Sequence, residues 1–350
     1  AFGTVTEGGW IGLLANPEFG GMGLPEVLGT AVNEYFSGAN VAFSLTLMLT
    51  RGVGHMIEGF GTDEQKQLFV EKVLMGEWCG TMCLTEAQAG SDVGASKTKA
   101  IKNDDGSYQI SGEKIFITAG DHDLADNIIH LVLARTPDAP VGTKGLSLFI
   151  VPKVKVNPDG SLGDSNDVYC NNIEEKMGIH GSPTCTLVFG QNDNCTGFLL
   201  GEEGQGMKLM FHMMNAARIE VGLQGAACAG AAHQQALAYA HERLQSRSWK
   251  EMRNPEAPQV PIVEHPDVRR MLLSSKAYVE AMRAILLQTS YYLDMAHLSD
   301  GEEAEKYQSY VELLTPICKA WCSEWAVQVT HWCVQVHGGY GYTCEYPAEQ

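Results

Sequence analysis

The chain has 350 residues, 45% of them hydrophobic, and a formal net charge of -18 from 24 basic and 42 acidic residues. That length allows more than one packed unit, and the acidic balance argues against nucleic acid or an anionic membrane as the main partner, while leaving room for a local basic site that takes a phosphorylated ligand. No apolar run approaches membrane-spanning length, and the 10 cysteines form neither a C-x-x-C pair nor a zinc-like Cys/His spacing.

Residues 1–80 read mostly as helix. Thr62-Asp63-Glu64-Gln65 has the form of a capping box, in which the Thr and Gln side chains satisfy backbone N–H groups of each other's residues. Leu68, Phe69, Val73 and Leu74 follow at close to helical spacing. Pro17-Glu18-Phe19-Gly20-Gly21-Met22-Gly23 predicts a turn between helices.

The stretch Cys83-Leu84-Thr85-Glu86-Ala87-Gln88-Ala89-Gly90-Ser91-Asp92-Val93 follows the apolar run that starts near Trp78. Gly90 lets the backbone come close to a ligand. Thr85 and Ser91 offer hydroxyls, and the turn offers backbone N–H groups. Such a loop suits an anionic or heteroaromatic ligand. It equally suits a polar cap on a strand, the usual meaning of a Gly/Ser/Asp cluster.

From 81 to 200 the texture is β-like. Short runs stand at Tyr108–Gly112, Asn127–Leu133, Leu146–Val151 and Cys185–Phe189. Turns such as Asn103-Asp104-Asp105-Gly106 and Asn157-Pro158-Asp159-Gly160 punctuate them. This spacing predicts a small β-barrel or sandwich. The polar, Gly- and Asp-rich piece from Asn157 to Asn172 reads as a surface excursion.

Helix returns from 201 on. Met207, Met210, Met214, Ala217 and Val221 keep a helical period, and the methionines read as gap-filling core. A second helix is predicted from Pro266 to His297 and a third from Glu303 to His337, with Leu314, Ile317, Trp321 and Trp325 on its core face. Before the second helix, Arg253-Asn254-Pro255 to Pro261 is a proline-rich connection. Cys318 and Cys322 share a helix face and read as buried thiols rather than metal ligands. Scattered thiols and no visible secretory signal fit a bacterial cytoplasm; a mitochondrial matrix fits as well.

The predicted fold class is therefore α+β and multi-domain. An N-terminal helical domain occupies 1–80, a small central β-barrel 81–200, and a C-terminal helical bundle 201–350. The first residue is Ala1 and the last, Gln350, stands just after Glu345-Tyr346-Pro347. The chain reads as a fragment truncated at both ends.

Three segments, in the expected order, resemble signatures of the acyl-CoA dehydrogenases. Cys83 to Asp92 is similar to an apolar pair followed by T-E-x-x-A-G-S-D. Lys114-Ile115-Phe116-Ile117-Thr118-Ala119-Gly120 is similar to K-x-W-I-T-N-G. His337-Gly338-Gly339-Tyr340-Gly341-Tyr342-Thr343-Cys344-Glu345-Tyr346-Pro347 is similar to G-G-x-G-[YF]-x-x-E-Y-P. The first and third motifs are specific and the second less so; the resemblance covers essentially the whole chain. It implies a helical, then β, then helical architecture with FAD between the β domain and the C-terminal bundle. It also implies dehydrogenation of an acyl-CoA thioester to a trans-2-enoyl-CoA, with electrons passed to an electron-transfer flavoprotein. Met177 to Cys185 and Met213 to Gly225 are similar to a longer bacterial branch that includes 3-(methylthio)propionyl-CoA dehydrogenases, whose substrates are short or carry a heteroatom. An acyl-CoA oxidase, and a protein that binds flavin or acyl-CoA without dehydrogenating it, are the competing readings.

The resemblance also assigns residues. Thr85 would reach the pyrimidine edge of the flavin, with the Leu84 backbone beside it and Gly90 in the same loop. Ser91 would lie near the pyrophosphate and, with Asn215 and Arg218, on the acyl-CoA side. Phe116 would stack on the ring, where the family usually has tryptophan; it can stack but lacks the indole N–H. Thr118 would donate to flavin N5, and Ala119 stands where the family has asparagine. Asn215-Ala216-Ala217-Arg218 is similar to the D-x-x-R that holds the CoA adenine. Arg247 is similar to an arginine that reaches a neighbouring subunit's FAD, although Trp249 and Lys250 follow in place of the usual phenylalanine and glycine. Gln335 and Gly339 match positions that touch FAD from an adjacent subunit, which implies a homodimer or homotetramer. Removing a weakly acidic α-proton needs a positioned carboxylate. The position before Arg218, used by a minority of the family, is Ala217. Glu220 would point to another face of the helix, so the base is expected beyond Gln350. No metal is expected.

Overall fold

The structure, a computed structural model, describes residues 1–349. In chain order the N-terminal helices are α1 (Phe2–Glu7), α2 (Glu26–Ala39), α3 (Val41–Phe60) and α4 (Asp63–Gln65), which continues through a π-helical turn, Lys66–Val70, into α5 (Glu71–Leu74). The strands are β1 (Trp78–Cys83), β2 (Lys99–Lys102), β3 (Tyr108–Thr118), β4 (Asn127–Arg135), β5 (Leu146–Pro152), β6 (Val154–Val156), β7 (Leu162–Ser165), β8 (Val168–Ile173), β9 (Thr184–Phe189) and β10 (Thr196–Leu200). Three long helices complete it: α6 (Gly206–Glu242), α7 (Pro266–Leu298) and α8 (Gly301–His337). No helix among the described residues is long and apolar enough to cross a membrane.

The chain divides into two compact units. The first comprises Ala1–Pro25 and Ala42–Ala217; the second comprises Glu26–Val41 and the chain from Arg218 on.

In the first unit the strands run in the order β1-β4-β5-β10-β3-β9-β8. β2 pairs with both β3 and β4, and so closes β4, β5, β10, β3 and β2 into a ring. The ring pairs these five strands on both sides and leaves β1 and β8 as the outer strands of the sheet. Val132 and Ala134 of β4 pack with Tyr108, Ile110, Phe149 and Val151. The alternate β4 residues Ile129, Leu131 and Leu133 pack with Val53, Ile57, Phe69 and Leu74 of the helices. Burial on both faces is why β4 is apolar along its length instead of alternating. The capping box forms as predicted: Gln65 N donates to Thr62 Oγ1 at 3.2 Å and Thr62 N to Gln65 Oε1 at 3.0 Å. The segment Asn157–Asn172 is only partly an excursion. β6 and β7 form a separate hairpin, but β8 returns to the main sheet and pairs with β9 from Val168↔Phe189 to Ile173↔Cys185. It reads as polar because it is an edge strand with Tyr169, Asn171 and Asn172 exposed.

In the second unit α2 joins the C-terminal helices. The Asp294 carboxylate of α7 accepts from Glu26 N at 2.7 Å and Val27 N at 3.1 Å, capping α2 from 268 and 267 residues away. Thr30 and Ser290 share a 2.6 Å hydrogen bond, and Arg283 Nε reaches Glu34 at 2.6 Å. The buried face of α8 is Val311, Thr315, Cys318, Cys322, Ala326, Val329 and Cys333. This corrects the predicted stripe: Ile317 is exposed, and Trp321 and Trp325 pack at the margin, with Trp325 stacked on Tyr278 at 4.0 Å. Small cysteines carry the helix contact that bulky tryptophans could not enter. Burial raises Cys322 to about 12, which keeps it an inert thiol.

Candidate cofactor site

In the first unit the predicted residues converge on one rim of the barrel. β1 ends at Cys83, and the chain crosses to β3, where two bonds hold it. Ile115 N donates to the Thr85 carbonyl at 2.9 Å, and Lys114 Nζ donates to the Leu84 carbonyl at 2.9 Å. Leu84 is buried and Thr85 half-buried. A tight turn follows, with Glu86 and Ala89 exchanging backbone bonds of 3.2 and 2.9 Å. It delivers Gly90 and Ser91 to the surface. A Cβ at Gly90 would meet no protein atom within 4 Å, so the space over that backbone is open to a ligand.

A bulge shapes the other half of the rim. Lys114 pairs with Leu187 and Ile117 with Cys185, so β3 carries one residue more than β9 between these pairs. The irregularity falls at Phe116, which is left-handed at φ 59° and 60% exposed. A bulky residue in that conformation is strained by about 1–2 kcal/mol, and a large ring held in solvent forgoes burial as well. Thr118 follows, half-buried opposite Thr184. Neither the Thr85 nor the Thr118 hydroxyl has a partner among the described residues. Ala119 is also left-handed, at φ 51°, and donates to the Pro183 carbonyl at 2.8 Å. Asparagine tolerates this backbone better than alanine, which gives the family's asparagine a conformational reason.

Beneath the rim lies an ion pair that the sequence reading did not single out. The Lys114 side chain is 0% exposed and Glu86 5%, with Nζ and Oε1 2.9 Å apart. Glu86 also accepts from Lys97 N at 2.7 Å, Thr98 N at 3.0 Å, Thr98 Oγ1 at 2.6 Å and Gln88 Nε2 at 2.6 Å. Burial alone would raise the Glu86 carboxyl, but the Lys114 ammonium and the Thr98 and Lys97 donors outweigh it and bring it to about 2. Burial lowers Lys114, and Glu86 opposes that. The sequence carries a signal for this pair: Lys114 occupies an inward position in the alternation Tyr108, Ile110, Gly112, Lys114, where only a paired charge can stay.

The remaining predicted residues stand apart from this rim in the chain. Asn215 is exposed on α6, and Arg218, half-buried, follows three residues later on the same helix, a spacing that shares a face. Arg247 is half-buried in the loop after α6 and donates to the Pro255 carbonyl at 2.6 Å. Gln335 near the end of α8, and Gly339 in the short helix Gly338–Tyr342, are both exposed. Tyr239 fixes this last motif by stacking on His337 at 4.5 Å and meeting Tyr346 at 5.1 Å. Among the described residues no cluster of His, Cys, Asp and Glu could hold a metal ion.

Models of the acyl-CoA dehydrogenase N-terminal, middle and C-terminal domains match residues 2–77, 81–192 and 204–350. The chain belongs to the acyl-CoA dehydrogenase family. It is 46% identical over 342 residues to a 3-methylmercaptopropionyl-CoA dehydrogenase of Ruegeria pomeroyi, covering 98% of this chain and 57% of that protein. To a butyryl-CoA dehydrogenase of Syntrophomonas wolfei it is 45% identical over 361 residues, covering 100% of this chain and 58% of the relative. The chain thus spans little more than half the length of these relatives. A solved acyl-CoA dehydrogenase from Bacillus anthracis, complexed with FAD, matches with a TM-score of 0.81 and 28% identity, covering 99% of this chain and 56% of that one. The fold is that of the family: N-terminal helices, a middle β domain and C-terminal helices.

Proposed function

We propose that the protein carrying this chain is an FAD-dependent acyl-CoA dehydrogenase that converts an acyl-CoA thioester to a trans-2-enoyl-CoA. The observation that carries the reading is the rim itself. Two threonine hydroxyls with no partner among the described residues stand with a strained, exposed phenylalanine and open space over Gly90. Hydroxyl donors along one edge and an aromatic face suit a planar heteroaromatic ring. Strain held at one exposed ring points to a site rather than to packing.

Bound FAD would supply the electron acceptor that no side chain provides. The residues of this chain would do the rest. Thr85 and the Leu84 backbone would hold the pyrimidine edge, Thr118 the central edge and Phe116 the ring face, with Ser91 near the pyrophosphate. Asn215 and Arg218 would hold the CoA end of the substrate. Arg247, Gln335 and Gly339 would serve a neighbouring subunit's FAD in a homodimer or homotetramer. The electron-transfer flavoprotein would be the acceptor, and the three segments divided near 80 and 200 would be the working domains.

A base must take the α-proton. Ala217 has no acid group, and Glu220 already accepts from Asn33 Nδ2 at 3.1 Å. We place the base beyond Gln350. Likeness to the methylmercaptopropionyl-CoA and butyryl-CoA enzymes supports a short acyl group, with or without a sulfur atom. The test is turnover of butyryl-CoA and 3-(methylthio)propionyl-CoA with a dye acceptor, reading enoyl-CoA formation. Peroxide formed in step with product in air would make it an oxidase; flavin retention with no product from either thioester would leave a binding protein.

A further inference from the structure

We propose that Lys114 and Glu86 are positioning residues that set how strongly the Leu84–Thr85 peptide donates to the flavin ring, and thereby tune the reduction potential of bound FAD. The inference rests on the FAD reading above.

The peptide joining Leu84 to Thr85 has its carbonyl on Leu84 and its N–H on Thr85, and no peptide among the described residues is cis. In a trans peptide the two groups point in opposite directions. The buried Lys114 ammonium binds the carbonyl end at 2.9 Å. It therefore withdraws electron density from the peptide, and the N–H at the other end points away from it; on this proposal that N–H would meet the pyrimidine edge that Thr85 is assigned to. A peptide N–H made more acidic by a cation on its carbonyl is a stronger hydrogen-bond donor in a low-dielectric site. Charge added to the ring on reduction would be stabilised by it.

Stability alone does not explain the pair. An apolar pair of matched volume would often stabilise the fold as well or better than a buried ion pair. Nor does Glu86 merely neutralise its partner. Five hydrogen bonds from four residues hold its carboxylate, so that its charge opposes the ammonium at a fixed distance. The two charges act on the donor in opposite senses: Lys114 strengthens it and Glu86 moderates it.

Spectroelectrochemical titration of the FAD-loaded full-length protein tests this, with FAD affinity and thermal unfolding measured alongside. Lys114→Gln keeps an N–H donor but removes the charge. It should lower the potential by a tenfold shift in the reduced-to-oxidised equilibrium, about 30 mV for a two-electron couple. Glu86→Gln removes the moderating charge and should raise the potential. A purely structural role would lower the unfolding temperature of both variants and leave the potential where it was, or move it the same way in both; either result overturns the proposal. Should Lys114→Gln fail to fold, the sign of the Glu86→Gln shift decides. Failure of the wild-type protein to bind FAD at all would instead overturn the reading of the site.

Discussion

The barrel rim and the helical site residues are built on opposite principles. On the rim, Leu84, Thr85, Phe116 and Thr118 are held within one unit by bonds from their own strands and by a buried ion pair below them. In the helical unit, Gln335 and Gly339 stand exposed at the end of α8, and Arg247 rests on a loop carbonyl. The rim is held by bonds of the first unit itself. Gln335 and Gly339 present their surface to solvent rather than to neighbouring strands. Damage below the rim should therefore abolish the site, while its surface hydroxyls should affect chemistry without affecting the fold.

The largest effect is expected for Lys114→Met. It leaves the Glu86 carboxylate buried without its cation, at a cost of about 3–5 kcal/mol. Chemical denaturation should register that loss together with loss of FAD. A stability change below about 1 kcal/mol would mean the rim does not depend on the pair.

Acid probes the same pair from the other side. The folded Glu86 carboxyl lies at about 2, below its ordinary 4.5. Its contribution is thus present above pH 4.5 and is lost as pH falls from there through about 2. The loss is on the order of 3 kcal/mol. The double variant Lys114→Met/Glu86→Gln should lack this part of the acid slope; an unchanged slope would assign it to other carboxylates.

Thr118→Ala should slow reduction of the flavin by acyl-CoA roughly a hundredfold, since a donor aimed at developing charge acts mainly in the transition state. Acyl-CoA binding and the unfolding midpoint should change little. Equal losses in binding and rate would place Thr118 with the substrate rather than with the ring.

The smallest effect is a gain. Ala119→Gly removes the left-handed penalty at φ 51° and should stabilise the first unit by about 1 kcal/mol at most. A loss would mean that the Ala119 methyl group, which is fully buried, packs better than its backbone suffers.

These contrasts follow what the sequence could reveal. The capping box at Thr62, the long C-terminal helices and the core of the β segment were legible because their signals are local: spacing, caps and turns. The candidate ligands are assigned by motif order. The left-handed backbone at Phe116 and Ala119 was not, because neither residue advertises that conformation as glycine or asparagine would. The capping of α2 by Asp294 joins residues 268 apart, and no local pattern encodes it. On α8 the buried thiols Cys318 and Cys322 are as read, while Trp321 and Trp325 lie at the margin because close helix packing favours the smaller side chain. Lys114 lies within a motif, yet its charge at an inward strand position is the stronger clue to its surroundings.

Anaerobic rapid mixing of the FAD-loaded full-length protein with butyryl-CoA is the most direct test of the central claim. Bleaching of the visible flavin absorbance in step with formation of the 2-enoyl thioester is the predicted result. A protein that holds FAD yet keeps its absorbance unchanged with both butyryl-CoA and 3-(methylthio)propionyl-CoA would contradict it.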